Sequence, residues 1–219
     1  VWSLTMMFLQ TWDFTENLSE DCDIYRPRKY HLEAFESDGF VQPYGDSPLD
    51  HETVGENVYL NLLHKAKNYV YICTPYLIVD NEMVTALSLA AKSGVDIKII
   101  TPHKEDKWYV HILTRAYYEP LIKMGVKIYE YTPGFIHSKT FVCDDEVGIV
   151  GSINMDYRSL YLHFECGTWL YKTSTISAIK EDFTDTLKVC QQVTLEECKQ
   201  VKLRTRLIRS VLRLLAPLM

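Results

Sequence analysis

The chain has 219 residues, of which 47% are hydrophobic and 24% charged, which suits one large globular domain or a domain with a fragment of another. No run of about 18 uncharged apolar residues occurs, so no segment is expected to span a bilayer. The net charge is −6, and the six basic residues after Glu197, with no acid among them, leave −12 on the preceding part. Nucleic acid is therefore not an expected partner, although a local site could still bind one phosphate.

The first residues indicate a helix, because apolar side chains in VWSLTMMFLQTWDF recur at roughly helical spacing. We interpret this segment as the last helix of a preceding domain. Residues 14–52 are polar and irregular, with ENLSEDCD and PYGDSPLDHE, and they predict a linker or a surface excursion.

The middle of the chain alternates between the two kinds of regular structure. A helix is predicted from Thr53, with Glu56 completing a capping box. The following segments predict strands over 69–79, 95–101 and 126–132 and helices over 81–93 and 106–125, the last two each ended by a glycine. The order of strand, helix, strand, helix, strand predicts an α/β fold with a largely parallel sheet.

The pattern changes after residue 132. Two short apolar runs, FIHSKTFVC and VGIVGSIN, are joined by residues 144–146 and predict an antiparallel hairpin. A further strand is predicted over 164–172. Two helices, over about 174–192 and 195–215, end the chain, and Thr194 with Glu197 predicts a capping box for the second.

The cysteines offer no metal-binding spacing. No C-x-x-C pair occurs among Cys22, Cys73, Cys143, Cys166, Cys190 and Cys198. The even count would allow disulfides, but free, buried thiols in a reducing compartment fit the apolar surroundings of three of them better. A zinc site is not expected for the same reason.

Polar residues interrupt the hairpin at regular intervals. Residues two apart on a strand share a face, so His137 and Lys139 should point the same way, as should Ser152 and Asn154. The hairpin can bring the two pairs together. The ammonium, hydroxyl and amide then suit a phosphate, and the imidazole suits a nucleophile or a general acid or base. A single His or Lys on a strand is more often merely structural, but the complete set is hard to explain by chance.

The spacing H-x-K-x(4)-D-x(6)-G-S-x-N resembles the signature of the phospholipase D superfamily, with its elements at His137, Lys139, Asp144, Gly151, Ser152 and Asn154. The stretches TPYLIVDNEM, residues 125–165 and RLLAPLM look like the C-terminal half of a bacterial cardiolipin synthase, and LQTWDF looks like the end of the first half. The resemblance implies a phospholipase D-like α-β-α sandwich with a mixed, largely parallel sheet. It also implies that 1–38 are the tail of a preceding domain plus linker and that 39–219 form the catalytic domain, with its motif at 137–154.

The resemblance also implies roles for individual residues. His137 would form a phosphohistidine or protonate the leaving alcohol, Lys139 and Asn154 would hold phosphate oxygens, and Ser152 would support them. Asp144 would brace the hairpin.

For two further residues, a functional role and a structural role both stay open. Glu165, 28 residues after His137, would hold the imidazole, or else be an ordinary ion-pair partner. Arg158 would reach a lipid phosphate, or else form a structural salt bridge.

The activity implied is transfer of a phosphatidyl group between two phosphatidylglycerols, giving cardiolipin and glycerol without a metal or organic cofactor. Hydrolysis by a phospholipase D or nuclease stays open, because the choice of acceptor depends on water exclusion and pocket shape. A non-catalytic half that docks on a partner or membrane is the other alternative.

Only half of such a site is present, since His137 alone of the seven histidines begins H-x-K. The family reaction uses two facing motifs, so the other must come from a missing first half or from a second copy in a homodimer.

The C-terminal segment predicts a basic amphipathic helix. On a helical wheel of 201–215, apolar residues cluster opposite Arg206, Arg209 and Arg213. Such a helix over 199–219 could lie on an anionic membrane, at the cytoplasmic side, or could pack its apolar face on its own domain and leave the arginines in solvent.

Overall fold

The computed structural model describes residues 1–17, 21–27 and 36–218. Parts of the predicted linker, residues 18–20 and 28–35, lie outside the described residues, as does Met219 of the predicted C-terminal segment. The helices are α1 (Trp2–Glu16), α2 (Val54–Lys65), α3 (Asn81–Lys92), α4 (Trp108–Lys123), α5 (Tyr157–Tyr161), α6 (Thr175–Leu187), α7 (Leu195–Lys199) and α8 (Leu203–Leu214). The strands are β1 (Phe40–Asp46), β2 (Tyr69–Cys73), β3 (Leu77–Ile78), β4 (Asp96–Pro102), β5 (Lys127–Tyr131), β6 (Thr140–Cys143), β7 (Val147–Gly151), β8 (Met155–Asp156), β9 (Glu165–Tyr171) and β10 (Cys190–Gln192).

Eight of the described strands form one mixed sheet in the order β1-β9-β7-β6-β2-β4-β5-β10, and β3 pairs with β8 beside it. The α/β class and the mixed sheet are confirmed. The parallel share is smaller than expected, because only β2–β4 and β4–β5 pair parallel among the seven neighbouring pairs of the described sheet. In this sheet the two parallel pairs are those in which a helix carries the chain back between the strands, whereas the strands of the hairpin follow each other directly and pair antiparallel.

Helices cover both faces of the sheet, as an α-β-α sandwich requires. In β2, Val70 and Ile72 join the large core under α2, α3 and α4, while Tyr69 and Cys73 belong to two smaller clusters under α6. This alternation follows from the two-residue period of a strand. A strand buried on both faces is apolar throughout, which explains the continuous apolar run in the sequence.

An edge strand, β1, lies within the segment that was predicted to be irregular. It pairs antiparallel with β9 along its whole length, from Phe40 opposite Tyr171 to Asp46 opposite Glu165. The strand was not predicted because Pro43 and Gly45 both disfavour strands. Proline is nevertheless tolerated in an edge strand, where one side has no neighbouring strand. The prediction of an irregular segment over the described part of 14–52 is wrong at this strand.

The C-terminal prediction needs two corrections. The expected helix over 174–192 ends at Leu187, and the residues that follow form β10 against β5. The expected helix over 195–215 is divided into α7 and α8. The capping box of Thr194 and Glu197 is confirmed, with both reciprocal hydrogen bonds present at the start of α7.

The capping box predicted at Thr53 and Glu56 is absent, since Thr53 makes no side-chain capping bond. The Glu56 carboxyl group is instead hydrogen-bonded to Tyr161. The Tyr161 hydroxyl lies 2.7 Å from Glu56 Oε1 and also hydrogen-bonds the carboxylate of Asp80. One hydroxyl can donate only one proton, so a bond to each requires that one carboxyl group be protonated. Burial, together with the nearby Asp80, raises the pKa of Glu56 to about 7.

No helix within 1–17, 21–27 and 36–218 combines the length and the apolar character that crossing a membrane requires. Cys73, Cys143, Cys166, Cys190 and Cys198 are free thiols, as predicted; Cys73, Cys143 and Cys198 are also buried, but Cys166 is exposed and Cys190 is only half-buried.

Candidate active site

The polar residues of the hairpin meet where β6 begins and β7 ends. His137 and Lys139 lie just before Thr140, the first residue of β6, and Ser152 and Asn154 lie just after β7. Because Thr140 pairs with Val150, the entry to one strand and the exit from the other are neighbours. The two polar pairs, together with Glu165 at the start of β9, line one open cavity of about 550 Å³.

His137 and Lys139 are in direct contact. The Lys139 ammonium nitrogen lies 3.0 Å from Nδ1 and 3.1 Å from Nε2 of His137, and it donates a hydrogen bond of 2.8 Å to the His137 carbonyl. Lys139 is only 9% exposed. The two side chains therefore point the same way, as the two-residue spacing predicts.

The surroundings of His137 favour its neutral form. Its pKa is lowered by partial burial and by the neighbouring Lys139 ammonium, and the Asp106 carboxylate opposes this only in part. Burial also lowers the pKa of Lys139, against the pull of the Glu165 and Asp156 carboxylates. A neutral imidazole has a free nitrogen lone pair, so it can attack an electrophile or accept a proton.

Ser152 joins the end of β7 to the start of β9. Its hydroxyl donates to the Glu165 carboxylate and accepts from the Cys166 N–H at 3.0 Å, while its own N–H donates to the Cys166 carbonyl at 2.8 Å. Glu165 lines the same cavity as His137, but the hydrogen bonds found in the described residues do not join the two. The expected contact of Glu165 with the imidazole is thus not made here, because Ser152 takes the carboxylate. Catalytic hydrogen bonds are often long or unformed until substrate binds.

Asn154 is held by the helix that follows it. Its Nδ2 donates to Ser159 Oγ at 2.9 Å, and it also hydrogen-bonds Asp156, which caps α5 by accepting from the Ser159 N–H. Asn154 Oδ1 is buried and has no partner among the described residues. The amide is therefore fixed at the cavity wall by α5.

Arg158 is connected to Glu165 through a residue that sequence reasoning missed. Its Nε donates to His163 Nε2 at 3.2 Å, and His163 Nδ1 lies 3.7 Å from Glu165 Oε1. Within the described residues, Arg158 thus contacts a histidine rather than the acid that a structural salt bridge would require. The only sequence signal for His163 is its position two residues before Glu165.

Asp144 lies at the far end of the hairpin, in the turn between β6 and β7. Its carboxylate accepts from the backbone N–H groups of Lys67 at 2.7 Å, Asn68 at 2.9 Å and Tyr69 at 2.8 Å. Burial alone would raise the pKa of Asp144, but these three donors lower it overall. It follows Lys139 by five steps of extended chain, or about 16 Å, so it anchors the turn and does not reach the cavity.

A wall of aromatic side chains beside His137 was also missed. The Phe135 ring centroid lies 5.8 Å from that of His137 and 6.4 Å from that of Tyr76. The Tyr76 hydroxyl donates to Asp106 at 2.5 Å, which places that carboxylate near the imidazole. The position of Phe135 beside His137 could have been predicted, because the two residues are two apart in the sequence. No sequence spacing places Asp106 near His137.

Two facing glycines set the distance between the strands that carry Ser152 and Glu165. Gly151 of β7 pairs with Gly167 of β9. A Cβ on Gly151 would lie 2.4 Å from the Cys166 carbonyl oxygen, and one on Gly167 would lie 2.4 Å from the Tyr44 ring. The clash at Gly151 is with backbone, so the approach of β7 to β9 requires glycine there, whereas a side chain at Gly167 would have to displace the Tyr44 ring of β1.

A larger cavity adjoins the site. It has a volume of about 710 Å³ and shares Ser152 and Glu165 with the first cavity. Its other walls are formed by α1, the end of β1 and the segment before β9, with apolar side chains that include Leu4, Met7, Phe8, Phe14, Leu49 and Phe164. The polar site therefore opens on a space that is mainly apolar but is also lined by Asp46 and Asp50.

Curated relatives match nearly the whole chain. It is 50% identical to an uncharacterised protein of Streptococcus mutans over 99% of this chain and 46% of that protein. It is 36% identical to a cardiolipin synthase of Clostridium perfringens and 35% identical to one of Geobacillus sp., over 99% of this chain and 46% and 43% of theirs. The chain thus spans less than half the length of these relatives.

Solved structures share the fold at low identity. A phosphatidylserine synthase of Haemophilus influenzae is similar with a TM-score of 0.64 and 15% identity, over 81% of this chain and 45% of that one. Nuc of Salmonella typhimurium, a phospholipase D family member, is similar with a TM-score of 0.60 and 17% identity, over 70% and 97%. The family model described as "Cardiolipin synthase, PLD-like domain" matches residues 59–187, which include the whole hairpin and Glu165. The chain belongs to this family of cardiolipin synthase phospholipase D-like domains.

Proposed function

We propose that this domain is one half of a phosphatidyltransferase that converts two phosphatidylglycerols into cardiolipin and glycerol. The observation that carries the proposal is the contact of the His137 imidazole, whose pKa is lowered, with the buried Lys139 ammonium at an open cavity. This pair offers a nucleophile and a positive charge to one phosphate. The relatives named cardiolipin synthase support the choice of lipid and acceptor.

The reaction proceeds in two displacements at phosphorus. In the first, one imidazole attacks the phosphodiester, the bond from phosphorus to the headgroup glycerol breaks, and a second imidazole gives its proton to the leaving oxygen. In the second, a hydroxyl of another phosphatidylglycerol attacks the phosphohistidine and gives its proton to the second imidazole. The P–N bond then breaks and cardiolipin leaves. His137 supplies one of the two imidazoles.

The remaining polar side chains stabilise charge on the phosphoryl oxygens. Lys139 and Asn154 hold these oxygens in our scheme, and Ser152 supports them. The amide N–H groups of Asn154 donate to Ser159 and Asp156 in this structure, so Asn154 must release one of these bonds to bind a phosphate oxygen. The scheme uses no metal or organic cofactor.

Glu165 and Arg158 are assigned supporting roles. Substrate binding would draw the Ser152 hydroxyl to a phosphate oxygen and free the Glu165 carboxylate for the imidazole, where it would fix the tautomer and stabilise the imidazolium. Arg158, which is exposed and bound only weakly through His163, could then reach the phosphate of the second lipid.

The second imidazole must come from another half, since one histidine cannot stay bonded to phosphorus and also protonate the leaving oxygen. We propose that it belongs either to a preceding half of a longer protein or to a second copy across a two-fold axis. The length of the relatives, more than twice that of this chain, favours the preceding half. With a preceding half, residues 1–38 would comprise the tail of that half and the linker to this domain.

The adjoining cavity, whose walls are mainly apolar, favours a lipid over a water-soluble phosphodiester. Its volume of about 710 Å³ lies in the range of ligand pockets, and it begins at Ser152 and Glu165. The excess of negative charge before residue 199 argues against nucleic acid. Hydrolysis stays a second candidate, because His137 is exposed at an open cavity that water can enter.

The test is incubation of the active assembly with phosphatidylglycerol, followed by mass analysis of the lipids. Cardiolipin with an equal amount of glycerol is expected. Phosphatidic acid without cardiolipin would identify a hydrolase instead. His137→Ala protein serves as the matched control and should form neither product.

Mixing this chain with its His137→Ala variant tests for pairing of copies. If two copies form the site, mixed dimers hold one imidazole, and activity should fall below the value expected from simple dilution. A linear dilution curve would leave the preceding half as the source of the second imidazole.

A further inference from the structure

The last long helix exposes its apolar face to solvent. In α8, Leu203, Leu207, Val211 and Leu214 are 83%, 68%, 51% and 81% exposed. Their spacing of four, four and three places them along one side of the helix. This row of four residues, the leucine stripe, is the reverse of what a helix packed on its own domain by its apolar face would show.

Arginines hold the opposite side of α8 to the domain. The Arg213 guanidinium lies over the Tyr117 ring of α4, 4.7 Å from its centroid, and Arg206 donates to the Lys199 carbonyl. Leu212 packs at the edge of the main core. The helix is thus anchored by guanidinium contacts with α4 and α7, and its orientation keeps the leucine stripe outside.

Basic residues surround the exposed stripe. Lys199, Lys202 and Arg204, at the start of α8 and just before it, are exposed, and no acid follows Glu197. The rest of the chain carries −12, so charge is separated between the two parts of the molecule. An anionic surface would attract the end that carries α8 and repel the remainder, which orients the domain.

We propose that the leucine stripe inserts into the surface of a membrane that contains anionic phospholipid. Four side chains on a 12-residue helix offer far less than the roughly 1,000 Å² that a stable protein interface buries, whereas an interfacial helix requires only such a stripe and basic flanks. Pairing of two copies through α8 would also place two segments of like charge, each +6, against each other. The inference rests on the proposed function only for the expectation that phosphatidylglycerol is the anionic lipid.

The test measures binding of this chain to vesicles by co-sedimentation. Vesicles of phosphatidylglycerol with phosphatidylcholine should bind the wild-type chain, and vesicles of phosphatidylcholine alone should bind it at least 10-fold more weakly. The double variant Leu207→Ser/Val211→Ser should lose at least 10-fold in affinity for the anionic vesicles. Leu89→Ser, at a leucine of α3 that is 55% exposed, is the matched control and should bind like wild type.

A second pair of variants separates apolar insertion from charge and from misfolding. Leu203→Ser/Leu214→Ser alters the most exposed residues of the stripe and should also weaken binding, with an unchanged unfolding temperature. Lys199→Gln/Lys202→Gln should reduce only the preference for anionic lipid. A chain that binds neither kind of vesicle, or stripe variants that bind like wild type, would overturn the proposal. Stripe variants that dissociate an oligomer and leave vesicle binding unchanged would show a protein interface and would overturn it as well.

Vesicle binding requires no turnover, so the two proposals fail separately. A wild-type chain that binds through the stripe while its active assembly makes no cardiolipin would contradict the proposed function alone.

Discussion

The strongest prediction concerns Asp144, which lies in the site motif but about 16 Å from Lys139 along the strand. Its carboxylate accepts three backbone hydrogen bonds, and its φ of 53° is in the left-handed region. Hydrogen bonds to a charged group contribute about 1.5–3 kcal/mol when buried, but water can replace part of them at this half-exposed turn. We therefore expect Asp144→Gly to lower the free energy of unfolding by about 2–3 kcal/mol.

The loss in the free energy of unfolding should depend on which residue replaces Asp144. Asp144→Ala adds the left-handed strain of about 1–2 kcal/mol that glycine avoids, and it should be the least stable variant. Asp144→Asn tolerates the left-handed backbone and keeps an acceptor for two donors, but its amide N–H₂ opposes the Lys67 N–H. It should be the mildest of the three, with a loss of about 1–2 kcal/mol.

Thermal unfolding at neutral pH measures the series, and a loss of 3 kcal/mol should lower Tm by roughly 6–12 °C for a chain of this length. Because the pKa of Asp144 is depressed, its contribution is present above the unfolded value of 3.8 and is lost as the pH falls below it. The gap between wild type and Asp144→Asn should therefore close in acid. A variant with wild-type Tm and no turnover would refute the reasoning and give Asp144 a direct part in the chemistry.

Three further predictions address the site and its support. In the active assembly, His137→Ala and Lys139→Ala should each lower turnover by several orders of magnitude with little change in Tm; a variant that keeps a tenth of the wild-type rate with the fold intact would contradict our site. Glu165→Gln should lower kcat by about 10²-fold while the fold stays intact, and an unchanged rate would leave this residue only its bond to Ser152. Since the pKa of Glu56 is raised to about 7, its protonated form stabilises the fold at low pH, and this contribution is lost as the pH rises through 7. Unfolding temperatures at pH 5 and pH 8 should thus differ more for wild type than for Glu56→Gln. An equal difference would show that Glu56 is not the protonated carboxyl group beside Tyr161 and Asp80.

Hydrophobic periodicity predicted the elements that are buried on both faces. The strands β2, β4 and β5 and the helices between them follow the apolar runs, and the hairpin of β6 and β7 follows the change of period. The strands at the two edges, β1 and β10, were missed, because an edge strand buries too little to require an apolar run. The split between α7 and α8 gives no signal, since the period of apolar residues continues across it.

The site was predictable where neighbours in sequence are neighbours in space. The contact of His137 with Lys139 follows from a spacing of two, and their meeting with Ser152 follows from the hairpin. Interactions that depend on distant strands were not predictable in detail: Glu165 bonds Ser152 rather than the imidazole, and the Asp106 carboxylate, in the loop after β4, acts on the pKa of His137 through its charge. Such contacts depend on the exact spacing of strands, which periodicity does not encode.

The facing glycines Gly151 and Gly167 bear on mutational tolerance. They have no functional group, yet a methyl group at Gly151 would meet the Cys166 carbonyl oxygen at 2.4 Å and push β7 and β9 apart, and one at Gly167 would have to displace the Tyr44 ring of β1. A saturation scan should therefore find Gly151 at least as intolerant as the residues that we propose carry the chemistry, with even alanine rejected, and Gly167 less so. At Lys139 or Ser152, by contrast, a shape-preserving replacement can remove function and leave the fold. The scan would thus divide the site into positions chosen for what their side chains do and positions chosen for having none.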